Sequence, residues 1–182
     1  MSAVDRDQLR ALVRGKIRDI PDFPKPGILF RDITPVLADA EAFAAAVELH
    51  VDHVRDLADS LDAIVGMEAR GFLFGPILAQ RFGVAFVPAR KPGKLPAETI
   101  KQDYGLEYGT NTLELHADAL KPGSKVLIVD DLLATGGTAA ATAKLIERLG
   151  AEVVAQLFMI ELIGLDGRKA LGSTRVEALL EL

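Results

Sequence analysis

The run Val126-Leu127-Ile128-Val129-Asp130-Asp131-Leu132-Leu133-Ala134-Thr135-Gly136-Gly137-Thr138 constrains this chain more than any other segment. Its first four residues are aliphatic, as in a strand covered on both faces. Two adjacent carboxylates follow, then Thr-Gly-Gly-Thr, then an alanine-rich stretch, 139–149, that reads as a helix stopped by Gly150. Strand, glycine turn and helix in that order predict a βα unit of a parallel sheet, with a ligand site at the carboxyl end of the strand. The glycines let backbone N–H groups approach a ligand, the helix start adds a positive end, and the threonines add hydroxyl donors. Ala134, Thr135, Gly136, Gly137 and Thr138 therefore read as a phosphate cradle. Asp130 and Asp131 would repel phosphate, so they call for hydrogen-bond donors or a cation, met by ribose hydroxyls or bound Mg2+. A ligand with a phosphate at one end and a vicinal diol at the other is a ribose 5-phosphate. Neither the Walker loop nor G-x-G-x-x-G fits the run.

The surrounding pattern agrees with an α/β fold built on a central, mostly parallel sheet flanked by helices. Short apolar runs at Ala63–Gly66, Val84–Val87, Lys125–Val129, Val153–Ile163 and Val176–Leu180 read as strands, and the stretch from Gly71 to Gln80 reads as a helix between the first two. Leu9, Leu12, Val13 and Ile17 recur at helical spacing, and Pro21, Pro24 and Pro26 end that helix. A loop is expected from Asp22 to Pro35. A second helix is expected with Asp39 as its N-cap and Phe43, Val47, Val51 and Val54 on one face. Lys-Pro-Gly occurs at 25–27, 91–93 and 121–123 with unrelated flanks, which suits three type II turns rather than a repeat. The stretch Ala89–Glu107 shows little periodicity and reads as a long irregular connection of the kind that serves as a lid.

With 182 residues, one domain is expected. Lys and Arg number 21 against 26 Asp and Glu, a net charge of −5, so no global basic field exists to hold nucleic acid. The chain has no cysteine, which excludes disulfides, thiolate metal sites and thiol nucleophiles. No apolar run approaches the roughly 20 residues of a membrane span, and Met1–Arg10 lacks the apolar core of a signal peptide, so a cytoplasmic location is expected. His50 and His53 share a helix face, but no third metal ligand accompanies them.

The segment Val126–Thr138 resembles the phosphoribosyl-pyrophosphate signature of the type I phosphoribosyltransferases, and its Leu-Leu-Ala-Thr-Gly-Gly-Thr form resembles the adenine-using members. Three further stretches match in order: Phe23–Pro35, Arg70–Pro76 and Leu106–Gly109. The resemblance implies a single domain, 1–182, with residues 1–35 as an N-terminal helix and hood over the base site and 89–109 as a flexible catalytic loop. It implies transfer of the 5-phosphoribosyl group from phosphoribosyl pyrophosphate to adenine, giving AMP and pyrophosphate. Mg2+ is expected as cofactor, held mainly through the substrate, and a homodimer as the assembly. Arg70 and the set Arg90, Lys91 and Lys94 are implied as pyrophosphate ligands, that set reaching a neighbouring subunit. The resemblance also implies a non-proline cis peptide beside Ala69, where the family often has Ser. Glu107 is implied as the acid–base residue, with Tyr108 beside it as a loop-closing residue. Leu29 and Arg31 are implied to read the adenine edge through their backbone, with Phe30 and Leu162 on its two faces. Use of another purine, or a regulator that senses phosphoribosyl pyrophosphate without catalysis, are the alternatives.

Overall fold

The computed structural model describes residues 3–106 and 109–182. The chain divides into two compact units, Met1–Asp52 and His53–Leu182.

The first unit begins with helix α1 (Ala3–Lys16), on which Val13 is fully buried. Strands β1 (Arg18–Ile20) and β2 (Phe30–Asp32) pair antiparallel, Asp19 opposite Arg31. The segment expected as one continuous loop thus ends in a strand, fixed by a partner that local propensity does not reveal. The short helix α2 (Thr34–Leu37) follows, with proline in its first turn, where a missing N–H costs nothing. Helix α3 (Ala40–His53) is capped as expected: Asp39 Oδ1 accepts from the N–H groups of Glu41 and Ala42 at 3.1 and 3.0 Å. Its buried face is Ala42, Ala45, Ala46, Val47, Leu49 and His50; of the expected stripe Val47 and, just past the helix, Val54 are buried, whereas Phe43 and Val51 are half-buried.

The second unit carries the sheet. Strands β3 (Ala63–Met67), β4 (Ala85–Ala89), β7 (Lys125–Leu133), β8 (Glu152–Glu161) and β9 (Val176–Glu181) lie in the order β4-β3-β7-β8-β9, every pair parallel. Helix α4 (Gly71–Phe82) connects β3 to β4, and α5 (Gly137–Arg148) connects β7 to β8. The two crossovers run in opposite directions, so right-handedness puts the helices on opposite faces. That is why Val126–Val129 are completely buried. The strand order reverses between β3 and β7, and ligand crevices of open α/β sheets form at the carboxyl ends of such strands.

The long connection after β4 is not irregular throughout. It contains an antiparallel hairpin, β5 (Thr99–Leu106) with β6 (Gly109–His116). Leu113 and Leu115 are fully buried in the core beneath α5, together with Phe158, Leu145 and Ile146, and Ile100 and Tyr104 pack against that core. The hairpin escapes a periodicity reading because its alternate positions are threonine, lysine, aspartate and glycine; its stability comes from tertiary packing. Two of the Lys-Pro-Gly turns close as expected, Ile28 N–H donating to Lys25 O and Ser124 N–H to Lys121 O.

Candidate active site

At the reversal point the carboxyl ends of β3 and β7 open into a cleft of about 290 Å3, lined by Glu68, Arg70, Lys91, Asp130, Asp131 and the Ala134–Thr138 loop. The strand carrying the acids is longer than expected: β7 continues through both aspartates to Leu133. The acids therefore have sheet-fixed backbone.

The loop after β7 turns directly into α5. Gly136, with φ of +80°, is the N-cap of α5, and no side chain caps that end. A Cβ there would meet the Gly167 carbonyl oxygen and lie 2.9 Å from the Ala170 methyl, so both the conformation and the space demand glycine. The first helical bond runs from Ala140 N–H to Gly136 O, 2.9 Å. The N–H groups of Gly137, Thr138 and Ala139 precede it, at the positive end of the helix. Thr135, Gly137, Thr138 and Ala139 line the cleft, and N–H groups at such a helix end can hold an anion.

The loop after β3 faces it. Glu68–Ala69 is a cis peptide, in the place expected for one. Arg70 is the N-cap residue of α4 and pairs with Asp131, Nε to Oδ2 at 2.5 Å. Gly71 allows this approach, since a Cβ at that position would run into the Val129 carbonyl of β7. Asp131 is nearly buried, with 4% of its surface exposed, and the Arg70 guanidinium is its ion-pair partner. Asp130 is different. Burial, and then the neighbouring Asp131 carboxylate, push its carboxyl well above the usual carboxylate range. Its Oδ1 accepts from the Asp131 N–H at 2.9 Å, and this bond and the nearby Arg70 do not outweigh burial and the neighbouring carboxylate. A hydroxyl-rich ligand or a cation would add what is missing.

The remaining expected residues divide. Lys91 lines the cleft. Arg90 is turned to Glu68, Nε to Oε2 at 2.9 Å, with its guanidinium 5.6 Å from the Phe72 ring centre. Lys94 is exposed and is not among the residues lining the cleft. Leu29, exposed, precedes β2; Phe30 packs edge-on against Phe23 with ring centres 5.1 Å apart; Arg31 pairs with Asp19 at 2.6 Å. Leu162 follows β8 and donates its N–H to Leu133 O at 2.9 Å. Glu107 and Tyr108 lie outside the described residues. Tyr104 and Asn111, cross-strand partners in the hairpin, line the cleft without having been anticipated. Glu68 was passed over as well, although an acid directly after a parallel strand was a sufficient signal. Burial would raise its carboxyl, but the Lys91 N–H and the Arg90 guanidinium outweigh that and hold it below the ordinary range.

No group of three metal-ligating side chains occurs among the described residues, and no helix there is long and apolar enough to cross a membrane.

Comparison with known proteins agrees with this geometry. The family model of the phosphoribosyl transferase domain matches residues 34–161. The chain is 58% identical over 165 residues to an adenine phosphoribosyltransferase of Carboxydothermus hydrogenoformans, covering 91% of this chain and 96% of the relative. The crystal structure of adenine phosphoribosyltransferase from Thermoanaerobacter pseudethanolicus superposes with a TM-score of 0.89 at 53% identity, over 95% of this chain and 99% of that one. The Saccharomyces cerevisiae enzyme, solved with an imino-altritol bisphosphate and adenine, superposes at 0.91 and 40% identity, again over 95% and 99%. A parallel sheet of this order, the cradle at its reversal point and relatives matched over nearly their whole length lead to one conclusion: the chain belongs to the adenine phosphoribosyltransferase family.

Proposed function

We propose the following division of labour for transfer of the 5-phosphoribosyl group from phosphoribosyl pyrophosphate to adenine, with AMP and pyrophosphate as products. The observation that carries it is the convergence of Arg70, Asp130, Asp131 and the 134–138 loop on one cleft. The N–H groups and hydroxyls of Ala134–Thr138 hold the 5-phosphate. Asp130 and Asp131 accept hydrogen bonds from the ribose hydroxyls. As pyrophosphate departs, the sugar becomes oxocarbenium-like, and negative charge beneath it stabilises that state. Arg70 and Lys91 hold the departing pyrophosphate. Arg90 and Lys94 complete the cationic set; Lys94, exposed and off the cleft of its own chain, is available to a neighbouring subunit, which suits a homodimer.

Mg2+ fits this donor set: the cleft offers carboxylate oxygens of Asp130 and Asp131, and the substrate offers phosphate and ribose oxygens. When bound, it neutralises pyrophosphate charge. Leu29 and Arg31 are assigned to the adenine edge through their backbone, Phe30 to one face of the base and Leu162 to the other. Glu107 manages the N9 proton, an assignment supported by the Leu106–Gly109 match. Tyr104 supports a covering role for the hairpin: its ring lies 3.5 Å from where a Gly137 Cβ would stand, next to the cradle. Such cover would keep water from the reactive sugar.

The test is pyrophosphate release with phosphoribosyl pyrophosphate, Mg2+ and one base at a time: adenine, hypoxanthine, guanine, xanthine or uracil. Release with adenine alone is expected. Release with another purine alone overturns the assignments at Leu29–Arg31 and Leu162. Unchanged kcat in Glu107→Ala removes the acid–base role. A single monomeric species in sedimentation velocity removes the dimer.

A further inference from the structure

Glu68 has no place in the division of labour above, yet it is among the most tightly engaged groups of the cleft. It follows the last residue of β3, and its side chain is 14% exposed. A carboxylate in a pyrophosphate site is adverse for binding unless its charge is answered locally. Here it is answered twice by the same short segment. Glu68 Oε2 accepts from Arg90 Nε and from the backbone N–H of Lys91, both at 2.9 Å. The Glu68 N–H in turn donates to Ala89 O, 2.9 Å. β4 ends at Ala89, so these bonds grip the chain where it leaves the sheet.

The opposite side of the segment is held by a second acid. Arg90 and Glu114 exchange backbone bonds of 3.0 and 2.8 Å. Glu114, 2% exposed, has Lys101 Nζ 2.8 Å from Oε1 and accepts from Gly93 N–H at 3.3 Å through Oε2. Residues 90–93 are therefore gripped by Glu68 at the cleft and by Glu114 at the hairpin. Lys91 is the member of this segment that lines the cleft. Its ammonium stands on a flexible stem, so its usefulness to an anion depends on where its backbone is fixed.

We propose that Glu68 is a positioning residue for phosphoribosyl pyrophosphate: it fixes the Arg90–Lys91 segment so that Lys91 is presented to the pyrophosphate, and its charge is absorbed by Arg90 rather than facing the substrate. This rests on the assignment of Lys91 to pyrophosphate made above.

The experiment is a double-mutant cycle in steady-state kinetics, with KM measured separately for phosphoribosyl pyrophosphate and adenine. Loss of one charge-assisted hydrogen bond corresponds to roughly 10-fold, so Glu68→Ala should raise KM for phosphoribosyl pyrophosphate about 10-fold and move KM for adenine by less than about 2-fold. Glu68→Gln keeps an oxygen acceptor and should show a smaller rise. In a Lys91→Ala background the Glu68→Ala effect should largely vanish, because the residue it positions is gone. If Glu68→Ala does not fold, the Glu68→Gln and Lys91→Ala cycle serves in its place. Additive effects overturn the proposal while leaving Lys91 as a ligand. An equal rise in both KM values overturns it by marking a general structural role. A Lys91→Ala enzyme with unchanged KM for phosphoribosyl pyrophosphate overturns the Lys91 assignment, and the proposal with it.

Discussion

Replacing Gly136 by alanine separates two requirements that the cradle places on one residue. Gly136 has φ of +80°, and an added Cβ meets the Gly167 carbonyl oxygen and the Ala170 methyl. Gly123 has φ of +82°, but an added Cβ there finds nothing within 4 Å. Gly123→Ala therefore reports the conformational cost alone. That cost is about 1–2 kcal/mol for a left-handed alanine, less the roughly 0.4–1 kcal/mol by which alanine restricts the unfolded chain. A net loss of about 1 kcal/mol is expected. Gly136→Ala adds a backbone clash, and overpacking a tight site costs a further 1–3 kcal/mol or so. Its expected loss is about 2–4 kcal/mol. In a chain of this size each kcal/mol moves Tm by roughly 2–4 °C, so Gly136→Ala should fall at least twice as far as Gly123→Ala in a thermal scan. The clash would also shift the loop assigned to the 5-phosphate, so KM for phosphoribosyl pyrophosphate should rise in Gly136→Ala and stay put in Gly123→Ala. Equal Tm losses in the two variants would refute the packing argument. Normal substrate affinity in a destabilised Gly136→Ala enzyme would refute the cradle.

Three further outcomes follow from the structure. The raised carboxyl of Asp130 means that the folded state holds a proton the unfolded chain releases, so stability falls as pH rises through and above the ordinary carboxylate range. Asp130→Asn should therefore raise Tm of the ligand-free protein at neutral pH while weakening phosphoribosyl pyrophosphate binding; a lower Tm would contradict the burial argument. Asp32 shows the opposite sign. Its carboxylate, held by Arg18 and by the N–H and hydroxyl of Thr34, is depressed to about 2, so its contribution is full above about pH 4 and is lost as pH falls towards 2. The stability gap between wild type and Asp32→Asn in urea titrations should shrink as pH falls from about 4 to about 2, and a constant gap would show that the charge is not what matters. Phe158, fully buried in the core beneath α5, should cost about 3–5 kcal/mol on replacement by alanine, measured by urea unfolding.

The parts of the site that were readable in advance are the parts whose cause is local. The turn from β7 into α5 is written in consecutive residues: aliphatics that pair, acids that end the apolar run, glycines that permit φ of +80°, alanines that carry the helix. The cap at Asp39 and the Lys-Pro-Gly turns obey the same short-range chemistry. Arg70 was expected from the resemblance of Arg70–Pro76 to the family rather than from local chemistry. What stayed hidden is whatever depends on a distant partner. The β5–β6 hairpin has a polar outer face, and only its packing beneath α5 makes it a structure rather than a loop, so Tyr104 and Asn111 were not placed at the cleft. The pairing of Arg70 with Asp131 requires β3 to lie beside β7, the double grip of Glu68 on Arg90 and Lys91 requires β3 to lie beside β4, and the raised carboxyl of Asp130 requires burial. The sequence by itself determined which residue types could hold a ribose phosphate, because backbone freedom and side-chain chemistry belong to each residue alone. Only the tertiary structure decided which of them face one another and at what charge, because strand order and burial exist only once the chain has closed on itself.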